Sequence, residues 1–327
     1  MTDDFAYLNA RLRARRSRLL PEGFFREALG LDFPGLLQLL KASIYGPDLT
    51  GDTLPDLDRA VLVHLDRTVG DLPRLVAGKA REAVSLLLMR ADLANLKTIL
   101  RGKQAGWTAG EIMGRLGAGT ISRALYNLMA EAADAVSLAQ LVSLADHPLG
   151  RALRAAVSGP PEPLEMEISL DRGFYTALRR RAQELNQPYL ADFLSFEIDA
   201  MNLAGGLKLA NLGFKGQLQR FFIPGGKRVG LHLFELLAQG EAAALAELGN
   251  TSFAPVAEAR DLSTLERRLC CLLLARARQS VQDMLGAGLA NDYILRKEWE
   301  AGRIRLLARR SLFKLPPAAV EQELFCQ

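Results

Sequence analysis

Apolar residues recur along this chain at spacings of three and four, the rhythm of a helix with one buried face. Met89, Leu93, Leu96 and Leu100 follow one another by four, three and four, and Leu36, Leu37, Leu39 and Leu40 form a similar stripe. The stretch "DLSTLERRLCCLLLARARQSVQDML" repeats the pattern, with Asp261 or Ser263 as its expected N-cap. Alternating β-branched runs are almost absent and no Asn-Gly hairpin turn occurs. The spacing therefore predicts an all-α fold. Breaks are expected at "YGPDLTGDTLPD" (Tyr45 to Asp56), "SGPPEPLE" (Ser158 to Glu165) and "FIPGGKRVG" (Phe222 to Gly230).

One stretch recurs. "DLANLKTILR" from Asp92 to Arg101 has a counterpart in "DAMNLAGGLK" from Asp199 to Lys208. Both place an acid three residues before an Asn-Leu pair and a base six residues after the Asn. "EAGRIRLLAR" from Glu300 to Arg309 keeps the acid, a polar residue at the Asn position and the later base. "YLNARLRARR" near the start offers Arg11, Leu12 and Arg13 in the same role without the acid. Asn95, Asn202 and Arg303 lie 107 and 101 residues apart. Near-equal spacing is what an internally repeated helical unit of roughly 100 residues produces.

Composition narrows the class. The 327 residues are 49% hydrophobic, 24% charged and 7% aromatic, enough apolar content for a substantial core. A net charge of +4 and a pI near 9.0 are too mild to mark a nucleic-acid binder alone. Three cysteines, an odd count with two adjacent, suggest a reducing compartment and no disulfide framework. "MTDDF" lacks the apolar core of a signal peptide, and "LCCLLLA" (Leu269 to Ala275) is far too short to span a bilayer. A soluble, cytoplasmic protein is expected.

Candidate chemistry is sparse. Gly78-Lys79, Gly102-Lys103 and Gly226-Lys227 lack the upstream glycine and following hydroxyl of a phosphate loop, and "GAGT" (Gly117 to Thr120) reads as a turn. Neither a Gly-x-Ser-x-Gly elbow nor a His-Glu-x-x-His helix is present. His64, His147 and His232 have no metal-ligand partners at helical spacing and are expected to be structural. Glu197 and Asp199, two apart, diverge on a helix rather than pair, and Asp199 is expected to meet a base at the surface or between helices. The basic runs "RLRARRSR" (Arg11 to Arg18) and "RIRLLARR" (Arg303 to Arg310) open and close the chain. Arg11, Arg15 and Arg18 share one helix face, as do Arg303 and Arg310. Such runs serve as solvated faces, or meet anionic lipid, acidic partner loops or, least favoured here, nucleic acid.

The segments "DDFAYLNARLRARRSRLL", "DLPRLVAGKAREAVSLLLMRADLANLKTILRGK", "FEIDAMNL" and "EWEAGRIRLLARR" resemble the C subunit of bacterial and archaeal V-type (A-type) ATPases. That family is similar to the d subunit of the eukaryotic vacuolar pump. The resemblance spans Asp3 to Cys326. It implies a helical funnel of three similar units about a pseudo-threefold axis, taken here as residues 1–88, 89–195 and 196–296 with closing helices at 297–327. It also implies a rotor socket with no catalytic residue, cofactor or metal. Such a socket, one copy per complex, joins the central shaft (the D and F subunits of the family) to the proteolipid ring and couples ATP synthesis or hydrolysis to proton or sodium flow. Its expected location is peripheral, on the cytoplasmic face of the membrane. Arg11, Arg15, Arg18, Arg303, Arg305, Arg309 and Arg310 are the candidate partner-binding residues. One departure is Gly205-Gly206, where the family commonly has a base after the leucine; each glycine weakens a helix by roughly 1 kcal/mol. Rival readings are a helical enzyme, marked by converging titratable groups in a pocket, and a nucleic-acid binder, marked by a continuous basic stripe.

Overall fold

A computed structural model describes residues 5–144, 147, 149–158 and 163–326. It is 74% helical, and no strand occurs among the described residues, so the fold is all-α. The helices are α1 (Phe5–Arg16), α2 (Glu22–Leu29), α3 (Phe33–Lys41), α4 (Leu54–Val69), α5 (Gly78–Gln104), α6 (Ala109–Met113), α7 (Arg123–Glu131) and α8 (Ala135–Leu144). They continue with α9 (Leu149–Val157), α10 (Pro163–Glu184), α11 (Pro188–Asn211), α12 (Leu231–Ala238), α13 (Leu262–Gln279), α14 (Gly288–Leu312) and α15 (Ala318–Leu324).

Local chemistry explains several helix starts. Thr53 accepts from the Asp56 amide while Asp56 reaches back to Thr53, a capping box that starts α4 inside the expected break at Tyr45 to Asp56. Asp261 caps α13, accepting from the Thr264 amide at 2.8 Å. The break at Phe222 to Gly230 is non-helical throughout. The core of the break at Ser158 to Glu165, residues 159–162, lies outside the described residues.

The chain forms two compact units, Met1–Val84 with Ala277–Gln327, and Ser85–Arg276. In the first, α14 packs against α1, α2, α3, α4 and α15. Leu36, Leu40, Leu57, Ile304, Leu307 and Leu324 are almost fully buried there, each contributing about 1.5–3 kcal/mol of apolar transfer. In the second, α9 packs on α8 and α10, and α11 on α10 and α12. Phe196 and Phe253 stack at 4.3 Å beside Leu203, Leu233 and Leu265. Cys270, on α13, is exposed.

Candidate functional site

The recurring acid-and-amide pair sits midway along α5 and again midway along α11. Asp92 is fully buried and accepts from the Thr120 and Ile121 amides at 2.8 and 3.2 Å and from the Tyr126 hydroxyl at 2.6 Å. One turn on, Asn95 exchanges two hydrogen bonds with the Gly117 backbone, at 2.6 and 3.0 Å. In α11, Asp199 accepts from the Lys227, Arg228 and Val229 amides at 2.9–3.0 Å, and Asn202 exchanges two bonds with the Ile223 backbone, both 2.9 Å. Each pair thus satisfies the backbone of a loop immediately before a short helix, α7 or α12. A buried loop without such partners would carry unsatisfied amides at about 1–3 kcal/mol each.

Asp199 was expected to meet a base; its side chain is 1% exposed and spends its oxygens on backbone amides instead. Glycine makes this approach possible. A Cβ at Gly119 would lie 1.8 Å from Asp92 Oδ1, and one at Gly226 would lie 2.0 Å from Asp199 Oδ1. Both glycines stand 27 residues after their acid. That spacing is a mark of the anchors that sequence reasoning missed. The bases that follow, Arg101 and Lys208, make exposed ion pairs with Glu167 and Glu266, as Arg309 does with Asp58. Glu197 diverges as expected and forms a two-point pair with Arg90, at 3.0 and 2.8 Å.

The third motif keeps the logic with different groups. Glu300 on α14 accepts from the Leu20 amide at 2.7 Å, just ahead of α2, and from the Tyr45 hydroxyl at 2.8 Å. Lys297, 2% exposed, donates to the same carboxylate and reaches His64 Nε2 at 3.2 Å. Because Nε2 accepts from the ammonium, the proton sits on Nδ1, 3.1 Å from Asp48. Burial, then the Lys297 charge, hold the His64 pKa down, and burial lowers that of Lys297 as well. Arg303 takes the Asn position. It is 5% exposed, lies 3.5 Å from both the Phe25 and Trp299 rings, and pairs with Glu22 at 2.8 Å.

The three long helices also end alike. Gly106, Gly213 and Lys314, each 14 residues past its acid, adopt the left-handed conformation at φ of +71°, +61° and +53°. The next amide in each case bonds back into the helix: Trp107 to Gly102 at 2.8 Å, Phe214 to Leu209 at 3.1 Å and Leu315 to Arg310 at 3.0 Å.

One cluster has the composition of a nucleophilic triad. Thr120 Oγ1 lies 2.6 Å from Asp92 and 2.9 Å from His147 Nε2. The geometry is wrong for catalysis. His147 Nδ1 accepts from the Leu149 amide at 3.2 Å, so the proton is on Nε2, which donates to the threonine instead of taking its proton. His232 is exposed on α12. No His, Cys, Asp and Glu group stands at metal-ligand spacing among the described residues.

The seven arginines singled out from sequence occupy different settings. Arg11 is exposed and bonds Tyr7 at 3.2 Å, and Arg18 is exposed. Arg15 bonds Asp71 and the Thr68 carbonyl, both at 3.1 Å. Arg303 is buried, as described. Arg305 and Arg309 meet Asp58 at 3.6 and 3.0 Å, and Arg310 donates to the Leu31 carbonyl at 2.6 Å and the Leu315 carbonyl at 3.0 Å.

Taken together, these residues define a helical scaffold protein whose buried polar groups hold loops onto three long helices. The family model described as "ATP synthase (C/AC39) subunit" matches residues 8–323. The chain belongs to that family, a non-catalytic subunit of V- and A-type ATP synthases. It is 46% identical over 326 residues to the C subunit of the V-type ATP synthase of Thermus thermophilus, covering 100% of both chains. It is 30% identical to the C subunit of the V-type ATP synthase of Deinococcus radiodurans, over 99% of this chain and 92% of that one. The C subunit of the A-type ATP synthase of Methanosarcina barkeri is 25% identical, over 99% and 93%. No helix among the described residues is long and apolar enough to cross a membrane.

Proposed function

We propose that this chain is the rotor socket of a rotary ATP synthase, held between the central shaft of the soluble head and the membrane proteolipid ring. It turns with both and couples ATP synthesis or hydrolysis to proton or sodium transport. It performs no chemistry of its own. The shaft subunits and the ring are its partners, and it lies peripherally on the cytoplasmic face through the complex. Three helical units, bounded near residues 88, 195 and 296, surround the rotation axis.

The observation that carries this reading, beyond family membership, is the loop anchor repeated at Asp92, Asp199 and Glu300. A torque-bearing part needs stiffness, and packed long helices with their loops tied down supply it. Of the candidate arginines, Arg11 and Arg18 are the freest to meet a partner. Arg305 and Arg309 keep partly exposed guanidinium groups beside Asp58, and Arg15, Arg303 and Arg310 support the surface they belong to.

Reconstitution tests the reading. Complexes assembled without this subunit should lose ATP-driven ion pumping, and the soluble head should separate from the membrane sector. A complex that stays attached and coupled without it refutes the function. Normal coupling by a folded Arg11→Ala, Arg18→Ala variant refutes only that surface assignment.

A further inference from the structure

Eight consecutive residues beyond the third anchor, Leu312 to Ala319, are exposed, between buried Ser311 and buried Val320. Seven of the eight are apolar: "LFKLPPAA" has Lys314 as its one polar side chain. Phe313 is 65% exposed, Leu315 43% and Leu312 39%. Apolar side chains exposed side by side, unlike ones scattered singly over a surface, point to an interaction site.

The elbow is rigid. Leu315 bonds back to the Arg310 carbonyl, and Arg310 clamps the Leu315 and Leu31 carbonyls. On the far side, Val320, Leu324 and Phe325 are buried in the same core as Leu307. Preformed surfaces of this sort lose little conformational freedom on binding.

Lys314 adds a second, independent observation. At the equivalent position α5 and α11 use Gly106 and Gly213, the residue that takes a left-handed φ without strain. The third helix holds a lysine there at φ +53°. The helix dipole does not demand it, since Arg309 and Arg310 already occupy the last turn. A strained residue kept where glycine serves twice is a pointer to function.

We propose that the Leu312–Ala319 elbow is a docking surface for a protein partner in the same assembly. The partner presents the apolar face of a helix edged by a carboxylate that meets Lys314. This rests on the rotor-socket reading. Charge selects the partner's sign, because Lys314 is the one charged side chain of the Leu312–Ala319 run. The same run disfavours an anionic bilayer as the occupant. Arg303, Arg305, Arg309 and Arg310 all bond within the chain, so Lys314 carries the attraction from the elbow, whereas bilayer attachment draws on several free bases. Eight residues are fewer than a whole interface, so the elbow acts as the anchoring centre of a larger contact.

The test measures binding of the full chain to an ATP synthase complex depleted of this subunit, alongside thermal unfolding. Phe313→Ser should weaken binding about tenfold or more, and Lys314→Glu by a similar factor. Lys314→Gly should also weaken binding, while its Tm stays at or slightly above the parent's because left-handed strain is relieved. Leu128→Ser, at another exposed apolar site, should bind normally. A purely structural Lys314 would show the Lys314→Gly stability effect with unchanged affinity, and that result overturns the proposal. So does parent-like binding by all three elbow variants; the socket reading then survives if depletion alone still uncouples the complex. If assembly is intact but the variants lose binding to phosphatidylglycerol–phosphatidylcholine vesicles, the elbow is a lipid contact and the partner assignment fails.

Discussion

Asp92 and Asp199 occupy the same register of two long helices, yet their carboxyls shift in opposite directions. Burial raises both. For Asp92, hydrogen bonds from His147, Thr120 and Tyr126 outweigh burial and hold the pKa below the ordinary value. For Asp199 burial wins over the Val229, Lys227 and Arg228 amides, and the pKa is raised. The signs of the linkage follow. The stabilisation from Asp92 is complete above its unfolded pKa, about 3.9, and is lost as pH falls through the lower folded value. Asp199 binds its proton more tightly when folded. Its contribution therefore improves as pH falls from the raised folded value toward the unfolded one. In urea unfolding at pH 7, Asp92→Asn should cost about 2–4 kcal/mol and Asp199→Asn less. Toward pH 4 the Asp199→Asn penalty should grow, and below pH 4 the Asp92→Asn penalty should shrink; parallel slopes would refute the assignment. The glycines give a second comparison. Gly226→Ala forces a Cβ into Asp199 and should cost about 1–3 kcal/mol. Gly302→Ala, in α14 with open space around it, should stabilise by about 0.5–1 kcal/mol in the same assay.

A long helix here is defined by three marks: an acid, a polar residue one turn on, and a left-handed residue fourteen after the acid. The first two were legible in the sequence because helical periodicity fixes their face, and the 107- and 101-residue offsets fix their recurrence. What the acid holds was not legible. The partners are backbone amides, 28–30 residues downstream of Asp92 and Asp199 but at distant Leu20 for Glu300, and amides have no sequence signature of their own. Arg303 misled for a related reason: a charged residue at the Asn position reads as surface until Phe25 and Trp299 enclose it. Within α14 the buried Lys297–Glu300 pair ties the helix to Tyr45, His64 and Leu20. Lys297→Met leaves a buried carboxylate without its cation and should destabilise by about 3–5 kcal/mol in chemical denaturation. Adding Glu300→Gln, which still accepts from Tyr45 and Leu20, should recover part of that loss. A double variant as unstable as Lys297→Met alone would remove the pair from the account.

For the molecule as a whole, the anchors differ in how much chain they close. Asp92 and Asp199 each reach a loop fewer than 31 residues ahead, so those closures form locally and early. Glu300 reaches Leu20 across 280 residues, and the first unit is assembled from both ends of the chain. Truncation after Arg276 should therefore leave α2 to α4 without amide protection in hydrogen exchange while α11 and α12 stay protected; protection of α2 to α4 in that fragment would contradict the division. The same discontinuity has a meaning in time. A ribosome adding about 5–20 residues per second needs roughly ten to forty seconds to make Ser85–Arg276. Throughout that interval Leu36, Leu40 and Leu57 have emerged but the helix that covers them has not. The nascent chain displays these leucines until α14 arrives to cover them, and apolar surface exposed in that way is what chaperones exist to shield.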